Sequence, residues 1–416
     1  AAYIKNYDVA NHSNPVIVKE LEIKGSYVTS RMIGNKTYAI FNEYASPSFP
    51  RPLYSVDGVV RDFSPNEINY IDEPFESTQF TTVLGLDIND LNKTESRKVI
   101  LSSGASNVFV SSDNAYVTYT SYNYYYPVWS AYQDVLMTQF DNGTIDKIKA
   151  IDAANLSEWR KDKLKVQVAN TFMDSLSETQ RNDLYNKIYE GENAIRESSQ
   201  RQFETTVIHK FSLGDAIGYI GKGNVPGHVL NQFSMDEANN YFRIATTTGQ
   251  VSQNEKNNAK VGNALYVLNS TLGVVGKLEE LAPGETIYSA RFMGNRAYLV
   301  TFKKVDPLFV IGLDDPTKPT LLGKLKIPGY SDYLHPYDET HLIGIGKDAT
   351  PAETGDFAWY RGVKLSLFDV GDVSHPVELS SFKIGDRGTD SYALSDHHAF
   401  LFNRVSNLLV VPITLA

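Results

Sequence analysis

Three patterns predict an all-β chain folded as a single β-propeller. They are a repeated strand–turn–strand unit, a repeated apolar strand ending in an acidic or Asn turn, and a spacing of roughly 40 residues per unit. The clearest copies of the first pattern are residues 27–40 (YVTSRMIGNKTYAI) and 287–300 (IYSARFMGNRAYLV). Each reads as a strand, a Gly-Asn turn and a second strand, because Gly and Asn supply the positive φ that a tight hairpin needs. Weaker copies lie at 112–117, 238–244, 338–343 and 396–401. The second pattern occurs at 7–9, 86–88, 140–142, 211–215, 267–269, 312–316 and 368–370, and we read each copy as the strand that starts a unit. Seven starts against six clear hairpins make seven blades the best count, with six or eight left open. A blade cannot cover its own apolar faces, so the units are expected to pack in a ring.

The unmatched start lies near Asp141. Beyond it the sequence becomes charged and helical in period, and we place a helical insertion at 155–202 within a single domain spanning 1–416. Ser177 and Gln180 have capping-box spacing, Leu184/Ile188 and Tyr185/Tyr189 stand four apart, and Gly191 offers a stop. Residues 408–413 (LLVVPI) resemble one more starting strand, which could pair with the N-terminal unit and close the ring.

Composition narrows the function classes. The 416 residues carry 39 Lys+Arg against 49 Asp+Glu, a net charge of −10, with no Cys. Zero Cys excludes disulfide scaffolds, thiol catalysis and Cys-ligated metal centres. The negative balance argues against a nucleic-acid partner. No apolar run is long enough to span a bilayer as a helix. The chain opens on Ala1-Ala2-Tyr3-Ile4, which reads as a processed or trimmed start. Glycine-rich phosphate loops, the nucleophile elbow and the His-Glu-x-x-His zinc motif do not occur.

Longer strings point to a family. Residues 223–237 (GNVPGHVLNQFSMDE), 242–247, 282–294, 300–308, 326–331 and 334–338 resemble a family of secreted β-propeller-domain proteins of archaea and some bacteria, distantly related to WD40 repeats. The likeness covers most of the chain and is densest from about 205 to 412. It implies an extracellular or cell-surface location. It implies no established reaction, so no catalytic residue is carried over and enzymatic activity is not the favoured expectation. Family members extend further at both ends, which implies that anchoring or blade-completing segments can lie outside this stretch.

Candidate ligand or partner residues are of two kinds. The first are charged or His residues in the resembling strings: Asp236, Glu237, Arg243, Arg291, His335 and Asp338. Loops from every blade converge at a propeller mouth, so these could form a polar site there. The competing reading is that they tie turns and blades together. It is preferred because the same types recur at equivalent positions, as with Arg31 and Arg291. The second are the aromatics Tyr122, Tyr124, Tyr125, Tyr126 and Trp129, suited to sugar stacking or to a protein hot spot, or else to packing on the ring. Asn11, Asn35, Asn92, Asn142, Asn155 and Asn269 are glycan acceptors if the chain is exported, with Asn35 and Asn142 read as the most accessible. No cofactor is expected. Calcium is the one ion given weight, through the turns at Asp87/Asp90 and Asp314/Asp315. His397 and His398 follow Asp396, but on a strand neighbours face opposite sides, so they are not expected to share a ligand sphere.

The function these features favour is an exported, surface-associated binding module for an envelope protein or glycan. An extracellular hydrolase with carboxylates at the propeller mouth is the alternative from another class. A self-assembling structural subunit is the third.

Overall fold

The computed structural model describes residues 1–48, 50–71, 77–122, 128–199, 204–249, 261–302, 306–351 and 358–416. The chain is mostly β, with strands arranged in antiparallel sheets. It divides into two compact units, one of Ala1–Ala105 with Ser121–Thr205 and one of Ser106–Thr120 with Thr206–Ala416.

The repeated sheet has four strands in sequence order. Its pattern is clearest in Thr286–Met293, Arg296–Phe302, Asp306–Gly312 and Thr320–Ile327. The same order holds for the four strands from Asn107–Val110 to Gly218–Pro226, from Met235–Ala238 to Val274–Leu281, and from Tyr330–Pro336 to Val377–Ile384. In the first unit, Ser26–Ile33, Lys36–Tyr44, Gln79–Asp87 and Ser96–Ser102 repeat it, with Ile68–Tyr70 added in parallel. That unit also holds the sheet Ala2–Asp8, Val16–Ile23, Leu53–Val56 and Val59–Asp62. Leu408–Val410 pairs with Leu401–Asn403. Seven sheets are thus present among the described residues.

The hairpins fold as their turn residues require. Gly34 and Gly294 adopt φ of 60° and 54° at the first turn position, while Asn239 and Asn240 are both left-handed at 52° and 64°. A bulge recurs at the same place in the first strand, between Tyr27/Thr29, Ile287/Ser289 and Ser331/Tyr333. Of the seven sites we read as unit starts, the one at 7–9 does end the first strand of its sheet, but those at 86–88, 211–215, 267–269, 312–316 and 368–370 end third strands, each pairing back onto the preceding hairpin, as Gln79–Asp87 does onto Lys36–Tyr44. The acidic residues that end them make turns through their own side chains. Asp87 accepts from Asn89 N at 3.0 Å, Asp315 from Thr317 N at 2.9 Å and Asp369 from Gly371 N at 2.8 Å.

Within the second unit these sheets interlock through glycine. A Cβ on Gly223 would sit 2.6 Å from Leu272 O, one on Gly276 2.2 Å from Pro316 O, and one on Gly323 2.1 Å from Val373 O. Each glycine lies in a fourth strand, and each oxygen belongs to the turn before the fourth strand of the next sheet. In the first unit a buried lysine spans a comparable gap. Lys19 Nζ donates to Leu91 O at 2.6 Å and pairs with Glu95 at 2.8 Å. Apolar residues fill the sheet faces, with Leu21, Phe41, Leu84 and Val99 in the first unit and Tyr298, Val300, Leu308, Leu342 and Phe368 in the second.

Among the described residues, four helices leave the chain between Asn114–Tyr122 and Glu204–Ser212, themselves neighbouring strands: α1 (Val128–Leu136), α2 (Asn142–Ala153), α3 (Glu158–Asp174) and α4 (Glu178–Ser199). The helical stretch therefore begins at Val128 rather than at 155. Asp141 does not end a strand but caps α2, accepting from Thr144 N at 2.7 Å. Ser177 and Gln180 form the expected cap, with Gln180 N donating to Ser177 Oγ at 3.5 Å and Ser177 N to Gln180 Oε1 at 3.3 Å. Gly191 does not stop α4; a Cβ there would lie 3.5 Å from that of Ala131 in α1, so it brings the two helices close. The helices share a core of Trp129, Leu136, Phe140, Ala169, Met173 and Ile188.

Gly323→Ala or Gly276→Ala is expected to destabilise the fold by about 2 kcal/mol or more, through overpacking against a backbone that cannot yield. Gly221→Ala, whose Cβ meets nothing within 4 Å, should be neutral. Thermal melts of the three variants check this, and equal Tm values would count against the interlock.

Candidate functional site

The charged candidates fall mostly into structural networks. Asp236 and Arg243 are cross-strand partners. Arg243 Nε donates to Asp236 at 2.8 Å, its Nη2 ion-pairs with the same oxygen, and Nη1 donates to Gly294 O at 2.7 Å. Glu237 accepts from Tyr116 Oη at 2.6 Å and Asn114 Nδ2 at 2.9 Å, and from Ser111 Oγ. Lys210 Nζ lies 3.7 Å from it. Burial, then the Glu237 hydrogen bond, pushes the Tyr116 hydroxyl pKa upward, so it stays a donor. Asp338 holds a turn. Desolvation raises its pKa, but hydrogen bonds from Thr340 and His341 outweigh this and bring it to about 2.

Arg291 and His335 do come together, in an aromatic cage. The Arg291 guanidinium lies 4.2 Å from the Phe233 ring centre and 5.3 Å from that of Tyr333, and Nε donates to Leu334 O at 2.8 Å. His335 Nδ1 is 3.0 Å from Tyr333 Oη, and burial followed by the Arg291 charge lowers its pKa. His397 stacks edge-on against Phe233 at 4.8 Å.

The aromatic run divides. Tyr122 ends its strand 40 % exposed. Tyr124, Tyr125 and Tyr126 lie outside the described residues. Trp129 is 6 % exposed and packs within the helical core, 6.4 Å from Phe140, so it presents no ligand surface. Among the glycan acceptors Asn11, Asn92, Asn142 and Asn155 are exposed. Asn35 is half-buried and donates to Asp87 at 2.8 Å, just as Asn295 donates to Asp314 at 3.1 Å. Asn269 is also half-buried, and its oxygen accepts from Thr271 N and Gly273 N.

A different place in the second unit has the form of a binding site. The bulged strand His341–Pro351 pairs Thr350 with Trp359 and Ala349 with Tyr360. The loop after Ile384 turns through Gly385 and Gly388, at φ of 64° and 101°, and is fixed where Asp390 N donates to Thr414 O and Thr414 N donates to Asp390 O, both at 2.9 Å. Between them lies a cleft of about 470 Å³ walled by Tyr330, Trp359, Tyr360 and Arg387, with Lys347 and Asp390 at its polar side. Trp359 and Tyr360 are 49 % and 45 % exposed. Arg387 lies 5.3 Å from the Trp359 ring centre. Tyr330 rests against Tyr288 and Phe302, each at 4.8 Å, and Tyr360 at 5.5 Å, so the aromatic wall is backed by other rings.

The polar side carries the Asp390 carboxylate, and the Asp332 carboxyl, which is not part of the wall, is shifted in the opposite direction. Lys347 Nζ donates to Asp390 at 2.8 Å and to Thr389 O at 2.6 Å, and this bond, first among several, lowers the Asp390 pKa. Asp332, the extra residue of the strand bulge, sits in the field of both. Desolvation raises its pKa to about 7, against the pull of Lys347 and with the push of Asp390. Reading the sequence alone missed this cleft as a unit. The signal was the Trp359-Tyr360-Arg361 run.

One geometric expectation is corrected. His397 and His398 do not lie on a strand. They form a 3₁₀ turn, His397–Ala399, capped by Asp396, and their ring centres are 4.0 Å apart. Together with Asp396 they offer three donor atoms within 4.8 Å of one another. The Asp87, Asp314 and Asp315 oxygens serve the turns described above, and Asp90 accepts from Asn92 N at 3.2 Å.

Repeated four-stranded sheets with interlocked turns define a protein of the β-propeller class. The model of the Beta propeller domain family matches residues 1–416, and the chain belongs to that family. An uncharacterized protein of Methanocaldococcus jannaschii is 32 % identical over 437 residues, covering 98 % of this chain and 63 % of that protein. One from Archaeoglobus fulgidus is 33 % identical over 398 residues, covering 94 % and 60 %. The chain thus spans about three-fifths of the length of these relatives. Among solved structures, a subtype N10 neuraminidase-like protein of A/little yellow-shouldered bat/Guatemala/060/2010 matches at TM-score 0.33 and 9 % identity over 89 % of each chain. The C-terminal WD40 domain of Sif2 matches at 0.26 and 10 % over 50 % of this chain and 48 % of that one.

The raised Asp332 pKa has a stability consequence. The folded chain holds this proton more tightly than the unfolded one, so the group's contribution is fullest below the ordinary carboxylate pKa and is lost as pH rises through about 7. Asp332→Asn should remove that loss, making the variant gain in Tm relative to the parent as the pH is raised. A parallel pH–Tm profile for both would refute the assignment.

Proposed function

We propose that this chain is an exported, surface-associated binding module whose Trp359/Tyr360 cleft takes a glycan of the cell envelope. The observation that carries the reading is an exposed Trp–Tyr pair, backed by further rings and flanked by Arg387, Lys347 and Asp390. A flat apolar ring face complements the C–H face of a sugar, while charged groups at its edge meet hydroxyls. The glycan source favoured is a surface polysaccharide of the producing cell. Four exposed glycan acceptors, Asn11, Asn92, Asn142 and Asn155, fit an exported chain.

One observation favours a second reading, glycoside hydrolysis. A carboxyl group with a pKa of about 7 beside an ionised carboxylate is the pairing that acid–base cleavage of a glycosidic bond uses. Asp332 would be the acid and Asp390 the base or nucleophile.

A glycan array probed with the purified chain tests the first reading. Trp359→Ala is expected to weaken binding by about tenfold or more, the usual scale for removing an aromatic anchor. No glycan signal, or binding unaffected by Trp359→Ala, would overturn it. Release of reducing ends from a bound glycan, abolished by Asp332→Asn while binding persists, would move the function to the second reading.

A further inference from the structure

We infer that Asp396, His397 and His398 form a binding site for a divalent transition metal of the zinc and nickel type. The inference rests on side-chain donors and is independent of the cleft. Asp396 Oδ1 lies 2.8 Å from His398 Nδ1 and 4.0 Å from His397 Nδ1. Bonds of about 2.0–2.2 Å from one ion to each of three donors require donor separations on the order of 3–4 Å, and small torsions of these rings meet that. A strand would have turned the two imidazoles apart. The 3₁₀ turn, fixed by the hydrogen bond from His398 N to Asp396 Oδ1 at 2.9 Å, sets them side by side.

The surroundings hold one ring in place. His397 is wedged against Phe233, and its Nε2 is 3.1 Å from the Gln232 amide. The amide nitrogen is the atom placed there, donating to Nε2; turning the amide by 180° exchanges it for the oxygen, which accepts a proton from Nε2. In the turned arrangement the Nδ1 lone pair is free on the side of Asp396, 4.0 Å away, and the amide oxygen holds the ring as a hydrogen-bond acceptor holds a metal-bound imidazole. The side chain of His398 is 73 % exposed and that of Asp396 57 %, so water or a ligand oxygen can complete the sphere. Two imidazoles and a carboxylate select borderline ions over calcium, which prefers oxygen donors throughout. Elsewhere, the pairs Asp338–His341 at 2.8 Å and Asp372–His375 at 3.2 Å offer two donors each. The Asp396 group is the only three-donor cluster among the described residues.

Calorimetric titration of the 416-residue chain with zinc chloride tests this, with cobalt absorption as a second readout of imidazole ligation. One equivalent is expected to bind, and a His397→Ala/His398→Ala variant should bind at least tenfold more weakly. His398→Gln, at a mostly exposed side chain, guards against a folding artefact, and Asp396→Asn removes the charge while keeping a capping oxygen. Zinc uptake equal in the parent and the double variant, or calcium competing on equal terms, would overturn the site.

Discussion

A turn resting on bare backbone is the contact on which the second unit depends. The Asn or Asp that opens each turn fixes its shape through its own side chain, and the turn's carbonyl then meets a glycine of the preceding sheet at a distance no side chain permits. The fit matters because sheets packed face to face bury apolar area only if their edges register. Register between sheets is thereby set by polar, local chemistry, and the buried Tyr298, Leu308 and Phe368 fill a space already defined. In the first unit the lysine–carboxylate pair of Lys19 and Glu95 uses charge where the second unit uses contact.

Turns were legible in the sequence because their chemistry is local. Gly34-Asn35, Gly294-Asn295 and Asn239-Asn240 are hairpin turns for reasons contained in two residues. Which strand belongs to which sheet was not legible, since pairing is chosen over distance. The strands ending at Asp87 and Asp369 were recognised, yet they close a unit's hairpin instead of opening the unit. Asp141 shows a different ambiguity. A carboxylate accepting from a backbone N–H two or three residues on makes a turn after a strand and a cap before a helix, and 140–142 carries no sign of which.

The candidate site was less legible than the fold. Asp236, Glu237 and Arg243 stand out in the sequence as charged residues in distinctive strings, and the structure uses them in bonds between neighbouring strands and between sheets. Trp359 and Arg387 are separated by a whole strand, so only the folded chain shows them as one wall. His397 and His398 were discounted on strand geometry, and a single 3₁₀ turn reverses that. In each case the residue type was visible and its neighbours were not.

The four helices depart from and return to two strands that are already hydrogen-bonded neighbours. Their ends are therefore held together by the sheet, and the entropic cost of a long excursion between fixed ends grows only slowly with its length. With a core of its own around Trp129 and Met173, the excursion can lengthen, shrink or be exchanged across lineages without asking anything of the strands that carry it. The family can thus diversify at that joint while its sheets stay constant.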